Sequence, residues 1–322
     1  MKAIVSNKYG SPDVLELKEI EKPTPLDNQV LVKVQAASLN FGNLVLLKGE
    51  PFLARFAFGL RKPKFAIPGG DIAGYVEATG KNVKQFKPGD EVFGDLSSCG
   101  WGGFAEYVSV PEHALAIKPN NITFEEAAAT PMASVTALQG LRNKGKIKSG
   151  HKVLIQGASG GVGTFAVQIA KAFGAEVTGV CSTRNLDIVS SIGADYVIDY
   201  TIDDFTKKGE LFDLILGVNG SNGLTSYKRV LKPSGSFVHV GGSESQMYQT
   251  LFLGPILSMK GDQKMTNLLQ KANQNDLQYI KTLLEEGKVK PIIDRSYKLS
   301  EIRDAFIYFG EGHAKGKVVI TI

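Results

Sequence analysis

The sequence predicts an α/β protein in which a doubly wound parallel sheet follows a β-rich, barrel-like unit. Three observations lead there. From Lys152 onward short apolar runs alternate with helical patterns. Before it, short alternating runs are separated by turn residues. The chain has 322 residues, 43% hydrophobic and 21% charged, which suits two domains around two cores.

The β-rich unit is read from Gln29 to Ala36 (QVLVKVQA), from Gly74 to Thr79 (GYVEAT), and from the turn and strand of Lys87 to Gly94 (KPGDEVFG). At Thr123 the character changes: Thr123 and Glu126 have capping-box spacing and open an Ala-rich helical stretch. Lys152 to Gln156 (KVLIQ) is then a buried strand. Val162, Phe165, Ala166, Ile169, Ala170 and Phe173 recur at helical spacing after it, with Gly174 as the stop. Glu176 to Val180, Tyr196 to Tyr200, Phe212 to Val218 and Gly235 to Gly241 are further strands. After about Lys264 the pattern gives one amphipathic helix, Asp276 to Glu286, and a final strand, KVVITI. The expected boundaries are 1–122 for the first part of the β-rich domain, 123–264 for the dinucleotide-binding domain, and 265–322 for a return to the first.

Composition narrows the function. A net charge of +5, from 37 basic and 32 acidic residues mixed along the chain, gives nucleic-acid binding little support. Cys99 and Cys181 form no CxxC pair, so neither a four-thiolate zinc site nor a disulfide framework is expected. MKAIVSNKYG reads as strand and turn rather than a signal peptide, and no eighteen-residue apolar run exists. The expectation is a soluble, cytoplasmic protein with no stable membrane insertion.

The turn GASGGVG carries the first chemistry. Gly157, Gly160 and Gly163 permit a tight turn, close approach to a pyrophosphate, and packing of the helix on the strand. Ser159, Gly161 and Val162 complete the loop, whose helix N-terminus offers N–H donors. Ser159 stands where the strict GxGxxG fingerprint has a glycine, so the motif rests on its context between a buried strand and an amphipathic helix. The alternative is a structural turn in another α/β protein. The next strand ends in CSTRN. Where an NAD site places a carboxylate, this chain offers Ser182, Thr183 and Arg184, which suit a 2′-phosphate and favour NADP(H). The plainer alternative for Arg184 is a solvated side chain at a helix start.

The whole chain resembles the zinc-independent, quinone oxidoreductase (ζ-crystallin-like) group of the medium-chain dehydrogenase/reductase superfamily. The resemblance rests on MKAIVSNKYGSPDVLEL, PGGDIAGYVEATG, KPGDEVFG, GGFAEYVSVP, AAATPMASVTALQGL, GASGGVGTFAVQIAKAFGAEV and the closing GKVVI, in that order. It implies a GroES-like catalytic domain built from both chain ends, a Rossmann NADP-binding domain between them, a cofactor cleft, and a homodimer. It also implies cofactor contacts at Tyr200, Asn219, Gly241, Gly242 and Thr136, with a core or turn role as the alternative for each of the last four.

Zinc-dependent members carry Gly-His-Glu where this chain has Gly69-Gly70-Asp71, and a cysteine where it has Asn40. The four histidines, His113, His151, His239 and His313, show no zinc-motif spacing, so no metal is expected. Without a Lewis acid the acceptor must be intrinsically electrophilic, as quinones and α,β-unsaturated carbonyls are. Asn40 and Asn43 are the expected substrate-polarising donors, with structural turn roles as the alternative. Pro51 to Lys64 (PFLARFAFGLRKPK), with three phenylalanines, four basic residues and no acid, reads as a cover over the cleft. A membrane-surface contact and dimer packing are its alternatives. The resulting expectation is an NADPH-dependent, metal-free reductase of quinones or enones. A zinc-independent alcohol or aldehyde dehydrogenase and a weakly catalytic NADPH-binding sensor or structural protein are the rival readings.

Overall fold

The computed structural model describes residues 1–220, 222–242, 244–259 and 262–322. In chain order its strands are β1 (Lys2–Val5), β2 (Glu16–Glu19), β3 (Gln29–Ser38), β4 (Asp71–Thr79), β5 (Glu91–Asp95), β6 (Tyr107–Pro111), β7 (Leu115–Ile117) and β8 (Lys152–Gln156). They continue with β9 (Glu176–Cys181), β10 (Tyr196–Asp199), β11 (Phe212–Gly217), β12 (Leu231–His239), β13 (Lys264–Asn267), β14 (Ile293–Lys298) and β15 (Lys317–Thr321).

The chain divides into two compact units. The first comprises Met1–Ala133, Lys271–Gly287 and Pro291–Ile322, and the second Ser134–Gln270 with Lys288–Lys290. The boundaries expected at 122/123 and 264/265 therefore move to 133/134 and 270/271. At the first, the capping-box helix Phe124–Ala128 stays with the first unit, where it packs on β3 and β4. At the second, β13 is not a return to the first unit but the sixth strand of the second unit's sheet. Lys290 belongs there too, because its N–H and C=O both bond the Gln168 amide, at 2.8 and 2.9 Å.

The first unit is built on a seven-stranded sheet in the order β14-β15-β3-β4-β5-β7, with β6 also paired to β3. β3 is buried along most of its length, with only Lys33 exposed and Gln29 and Gln35 half-buried, as a strand paired on both edges should be. Val30, Val32, Ile72, Val92, Phe104, Phe306 and their neighbours form one core. The final strand β15 lies antiparallel to β3, which brings Val319 opposite Ser38.

The second unit is a parallel sheet in the order β10-β9-β8-β11-β12-β13, the doubly wound arrangement that reverses direction between β8 and β11. Its central strands are buried on both faces, as Val153–Gln156 and Leu214–Gly217 show. The helix Gly161–Ala172 connects β8 to β9 and ends just before Gly174, whose φ of 78° suits its stop position.

Three elements depart from the sequence pattern. The Ala-rich stretch is two helices, Phe124–Ala128 and Pro131–Leu138, because Pro131 cannot donate to the preceding turn and restarts the helix. Glu244–Met259 is a long helix with Pro255 inside it. The tail also holds β14 and the helix Ile302–Gly310 beyond the one helix and strand expected.

Candidate active site

In the second unit the expected cofactor residues other than Thr136 lie at or just beyond the carboxyl ends of the parallel strands. Gly157 follows β8 with φ 82°, and a Cβ there would meet Asn219 N at 2.9 Å, so the turn and the loop after β11 approach closely. A Cβ on Gly163 would lie 2.0 Å from Gly157 O, which restricts that position to glycine for helix–strand packing. Gly160 is the N-cap of the twelve-residue helix and offers no side chain. The first N–H groups, from Gly161, Val162 and Gly163, are therefore left for an anion. A Cβ on Gly160 would have only Gly157 O nearby, at 3.6 Å, so the turn is open there.

Ser182 is half-buried, and Thr183 and Arg184 are exposed, at the end of β9. Asn185 ties this segment to the glycine turn: its Nδ2 donates to Ser159 Oγ at 2.9 Å and to Ser182 Oγ at 3.2 Å. Tyr200 is exposed, and its N–H donates to Cys181 O at 3.0 Å. Asn219 is exposed too, while Gly242, at φ 126°, bridges to Gly220. Thr136 is buried on the helix Pro131–Leu138, away from these strand ends in sequence.

These residues fit a dinucleotide: an uncapped helix start, a turn without side chains, and an exposed cation with hydroxyls one strand away. A carboxylate absent from the end of β9 is nevertheless supplied from β10. Asp199 pairs in register with Cys181 and accepts from Thr201 N–H at 2.9 Å and Thr201 Oγ at 2.7 Å. Hydrogen bonding from Thr183 and then Thr201 holds its carboxyl below the ordinary value. Asn185 and Asp199 carry no sequence signal of a site of their own; the nearest cue to Asp199, the last residue of β10, is its neighbour Tyr200.

In the first unit Asn40 and Asn43 begin the helix Phe41–Lys48, where Asn40 N–H donates to Asn43 Oδ1 at 2.8 Å. Asn40 is not an open donor to substrate. Its Nδ2 donates to Asp71 Oδ2 at 2.8 Å, and its Oδ1 accepts from Lys317 Nζ at 2.5 Å. Asp71 further accepts from Ser38 Oγ at 3.2 Å and Met132 N–H at 3.0 Å. Lys317 also donates to Leu39 O at 3.0 Å and lies 3.6 Å from Asp71 Oδ2. Asp71 is 0% and Lys317 3% exposed. Burial pushes the Asp71 carboxyl up against the pull of Lys317, and Asp95 beside it adds to the rise. Burial likewise lowers the Lys317 ammonium.

The histidine position of zinc-dependent relatives is filled by other atoms. A Cβ on Gly70 would come within 3.0 Å of Met132 Cε and 3.1 Å of Trp101 Cζ3. Among the described residues no three His, Cys, Asp or Glu side chains are grouped to hold a metal ion.

Residues 26–120 match the family described as alcohol dehydrogenase GroES-like domain, and residues 192–320 the family described as zinc-binding dehydrogenase. The chain is 36% identical to the chloroplast envelope quinone oxidoreductase homolog of Arabidopsis thaliana, over 99% of this chain and 98% of that protein. It is 35% identical to the NADPH-dependent alkenal/one oxidoreductase, chloroplastic, of the same plant, over 99% of this chain and 79% of that one. Among solved structures, the quinone oxidoreductase from Coxiella burnetii superposes with a TM-score of 0.88 at 32% identity, covering 100% of this chain and 99% of that one. The chain belongs to the quinone oxidoreductase group of the medium-chain dehydrogenase/reductase family.

For a quinone oxidoreductase relative the remaining polar groups are quiet. Burial pushes the Cys99 thiol up to about 12 and the Cys181 thiol up to about 11, so neither is a ready nucleophile. Burial lowers the His239 imidazole, consistent with a core histidine. In the Pro51 to Lys64 segment Phe52, Phe56 and Leu60 are exposed, whereas Phe58 packs edge-on against Trp101 at 6.1 Å. Lys317 was missed as a network residue because only folding of the last strand beside β3 brings it to Asn40.

Proposed function

We propose that the protein is an NADPH-dependent reductase that transfers hydride to quinones or α,β-unsaturated carbonyls without a metal. The observation that carries the reading is the replacement of the family's metal-ligand positions. Asn40 is bound to Asp71 and Lys317, and the side-chain space at Gly70 belongs to Trp101 and Met132. With no Lewis acid to polarise an ordinary carbonyl, a conjugated acceptor that spreads incoming charge is the suitable substrate. The names of the quinone and alkenal/one oxidoreductase relatives support the same class.

When bound, NADPH supplies the hydride. The glycine turn and the open N–H groups of Gly161, Val162 and Gly163 hold its pyrophosphate; Ser182, Thr183 and Arg184 hold the 2′-phosphate. Tyr200 flanks the adenosine, while Asn219, Gly241, Gly242 and Thr136 serve the ribose and nicotinamide end. Asn43 polarises the acceptor oxygen through Nδ2, and Asn40 positions it by donating its N–H to Asn43 Oδ1. Solvent provides the proton.

A homodimer is part of the reading. Phe252, Ile256 and Met259, spaced along one face of the helix Glu244–Met259 and exposed, support a self-association surface, which light scattering tests. A cytoplasmic location belongs to it as well, to be tested by cell fractionation, since both plant relatives carry chloroplast names. No helix among the described residues is long and apolar enough to cross a membrane.

The deciding experiment is NADPH consumption over a panel of quinones, enones and simple aldehydes, with and without chelator. Turnover of quinones or enones that survives chelation is expected. Oxidation of simple alcohols in its place, or loss of activity on chelation, refutes the reading.

A further inference from the structure

The segment Pro51 to Lys64 lies wholly within the first unit and turns large apolar side chains to solvent. Phe52 is 63%, Leu53 60%, Phe56 69% and Leu60 55% exposed. The segment is nevertheless firmly attached. Arg55, which starts the short helix Arg55–Phe58, donates from Nε to Gly49 O at 3.0 Å, and its guanidinium lies over the Tyr9 ring at 4.6 Å. Tyr9 OH donates to Gly59 O at 2.5 Å, and Phe58 packs edge-on against Trp101. These contacts hold one side of the segment on the first unit and so fix which side chains stay outside. Phe52 and Phe56, four positions apart, meet edge-on at 6.2 Å among the latter.

Charge accompanies the apolar patch. From Pro51 to Gly70 the sequence has four basic residues and no acid. Arg55 is engaged with Gly49 and Tyr9, whereas Arg61, Lys62 and Lys64 are exposed. Lys64 N–H donates to Phe58 O at 2.6 Å, and a Cβ on Gly59 would lie 2.1 Å from Lys62 O. The basic turn therefore folds back on the end of the helix, and cations and apolar side chains are contiguous. Exposed Glu50 is the nearest acid in sequence, with exposed Lys48 two residues before it.

This combination selects its occupant. Four large apolar side chains grouped at the surface favour an apolar partner over water. A second copy of the same face, related by a two-fold axis, would set Arg61, Lys62 and Lys64 against their own counterparts, a repulsive arrangement. A bilayer rich in anionic lipid answers both demands, with negative headgroups for the cations and an acyl boundary for the aromatic and leucine side chains.

We propose that the segment Phe52 to Lys64 docks the protein reversibly on an anionic lipid surface. Phe52, Leu53, Phe56 and Leu60 enter the boundary between headgroups and acyl chains, while Arg61, Lys62 and Lys64 meet the lipid phosphates. No helix crosses the bilayer, and the contact weakens as salt screens the charges.

The test is co-sedimentation of the full-length protein with vesicles of phosphatidylcholine alone, or of equal parts phosphatidylcholine and phosphatidylglycerol. Binding to the mixed vesicles, lost on raising salt and absent from the neutral ones, is expected. Arg61→Gln/Lys62→Gln/Lys64→Gln should weaken it by roughly 100-fold, the effect of three cations near such a surface. Phe52→Ser/Phe56→Ser should weaken it by roughly 10-fold or more. Phe56→Trp supplies an independent probe: lipids brominated on their acyl chains should quench its emission beyond that of Trp101 in the wild type. No sedimentation of wild type with mixed vesicles overturns the proposal, as does equal binding to neutral ones. So does undiminished binding by both multiple variants, or a Phe56→Trp emission that brominated lipid leaves unchanged. A wild-type dimer that Phe52→Ser/Phe56→Ser dissociates, without any vesicle binding, overturns it in favour of a contact between copies. Should the multiple variants fail to fold, wild type on the two vesicle types and Phe56→Trp decide.

Discussion

The two candidate sites are built on opposite plans. The cofactor edge of the second unit is made largely of backbone, glycines and an uncapped helix start, with exposed side chains such as Thr183, Arg184, Tyr200 and Asn219 around it. The Asn40 network of the first unit is made of buried side chains, drawn from strands at both ends of the chain. Backbone donors gain their function from local turns, and one substitution there changes affinity more than stability. A buried ammonium beside two carboxylates is costly to desolvate, so the same change there strikes the fold first.

The strongest way to break this contrast is Lys317→Met. It leaves Asp71 and Asp95 together in the core without their cation, and a loss of about 3–5 kcal/mol in unfolding free energy is expected. Denaturant unfolding measures it. In the double variant Lys317→Met/Asp71→Asn most of the loss should return, because the buried carboxylate nearest the lost ammonium is then neutral as well. A Lys317→Met protein as stable as wild type would show that the network carries no net charge–charge stabilisation.

Arg184→Ala sharpens the other side. Arg184 is exposed, and the expected effect falls on recognition rather than on folding. The loss of one charge-assisted contact, about 1.5–3 kcal/mol, raises the Kd for NADPH roughly 10- to 100-fold. NADH, which lacks the 2′-phosphate, should change little. Calorimetric titration with both nucleotides provides the check, and an equal loss for the two removes the argument for phosphate recognition.

The same contrast explains what could be read from the sequence. GASGGVG, the Thr123–Glu126 capping box and the strand KVLIQ are local, so spacing alone revealed them, and the structure keeps the box with both reciprocal bonds. Lys317 lies 277 residues from the Asn40 amide it binds, and no periodicity links them. β13 was hidden for a related reason. Its residues, KMTN, include only Met265 as a buried apolar side chain, and strand form comes from pairing with β12. Asn40 illustrates the remaining gap. Its residue type suggested a substrate donor, but the neighbours that take up its amide become visible only with the sheet assembled.

The smallest effect expected comes from a carboxylate in the second unit, at the end of the sheet remote from its cofactor loops. Asp213, near the start of β11, accepts from Lys152 N–H at 2.8 Å and pairs with Lys232 Nζ at 2.8 Å. Burial opposes its ionisation, but these partners outweigh burial and hold the carboxyl below its ordinary value. A carboxylate whose folded pKa is depressed binds its proton less readily in the folded than in the unfolded chain. Its stabilisation is therefore present above the unfolded value, about 3.9, and disappears as pH falls through the lower folded value. Asp213→Asn should cost about 1 kcal/mol near neutral pH, a figure moderated by solvent screening. The difference from wild type should shrink as unfolding is repeated at progressively lower pH. Because Asp213 serves the amino end of the strands, NADPH affinity should stay unchanged in the same variant. A weakened Kd would mean that the two ends of this sheet are coupled, and that stability and cofactor recognition are less separable in the second unit than its exposed turn suggests.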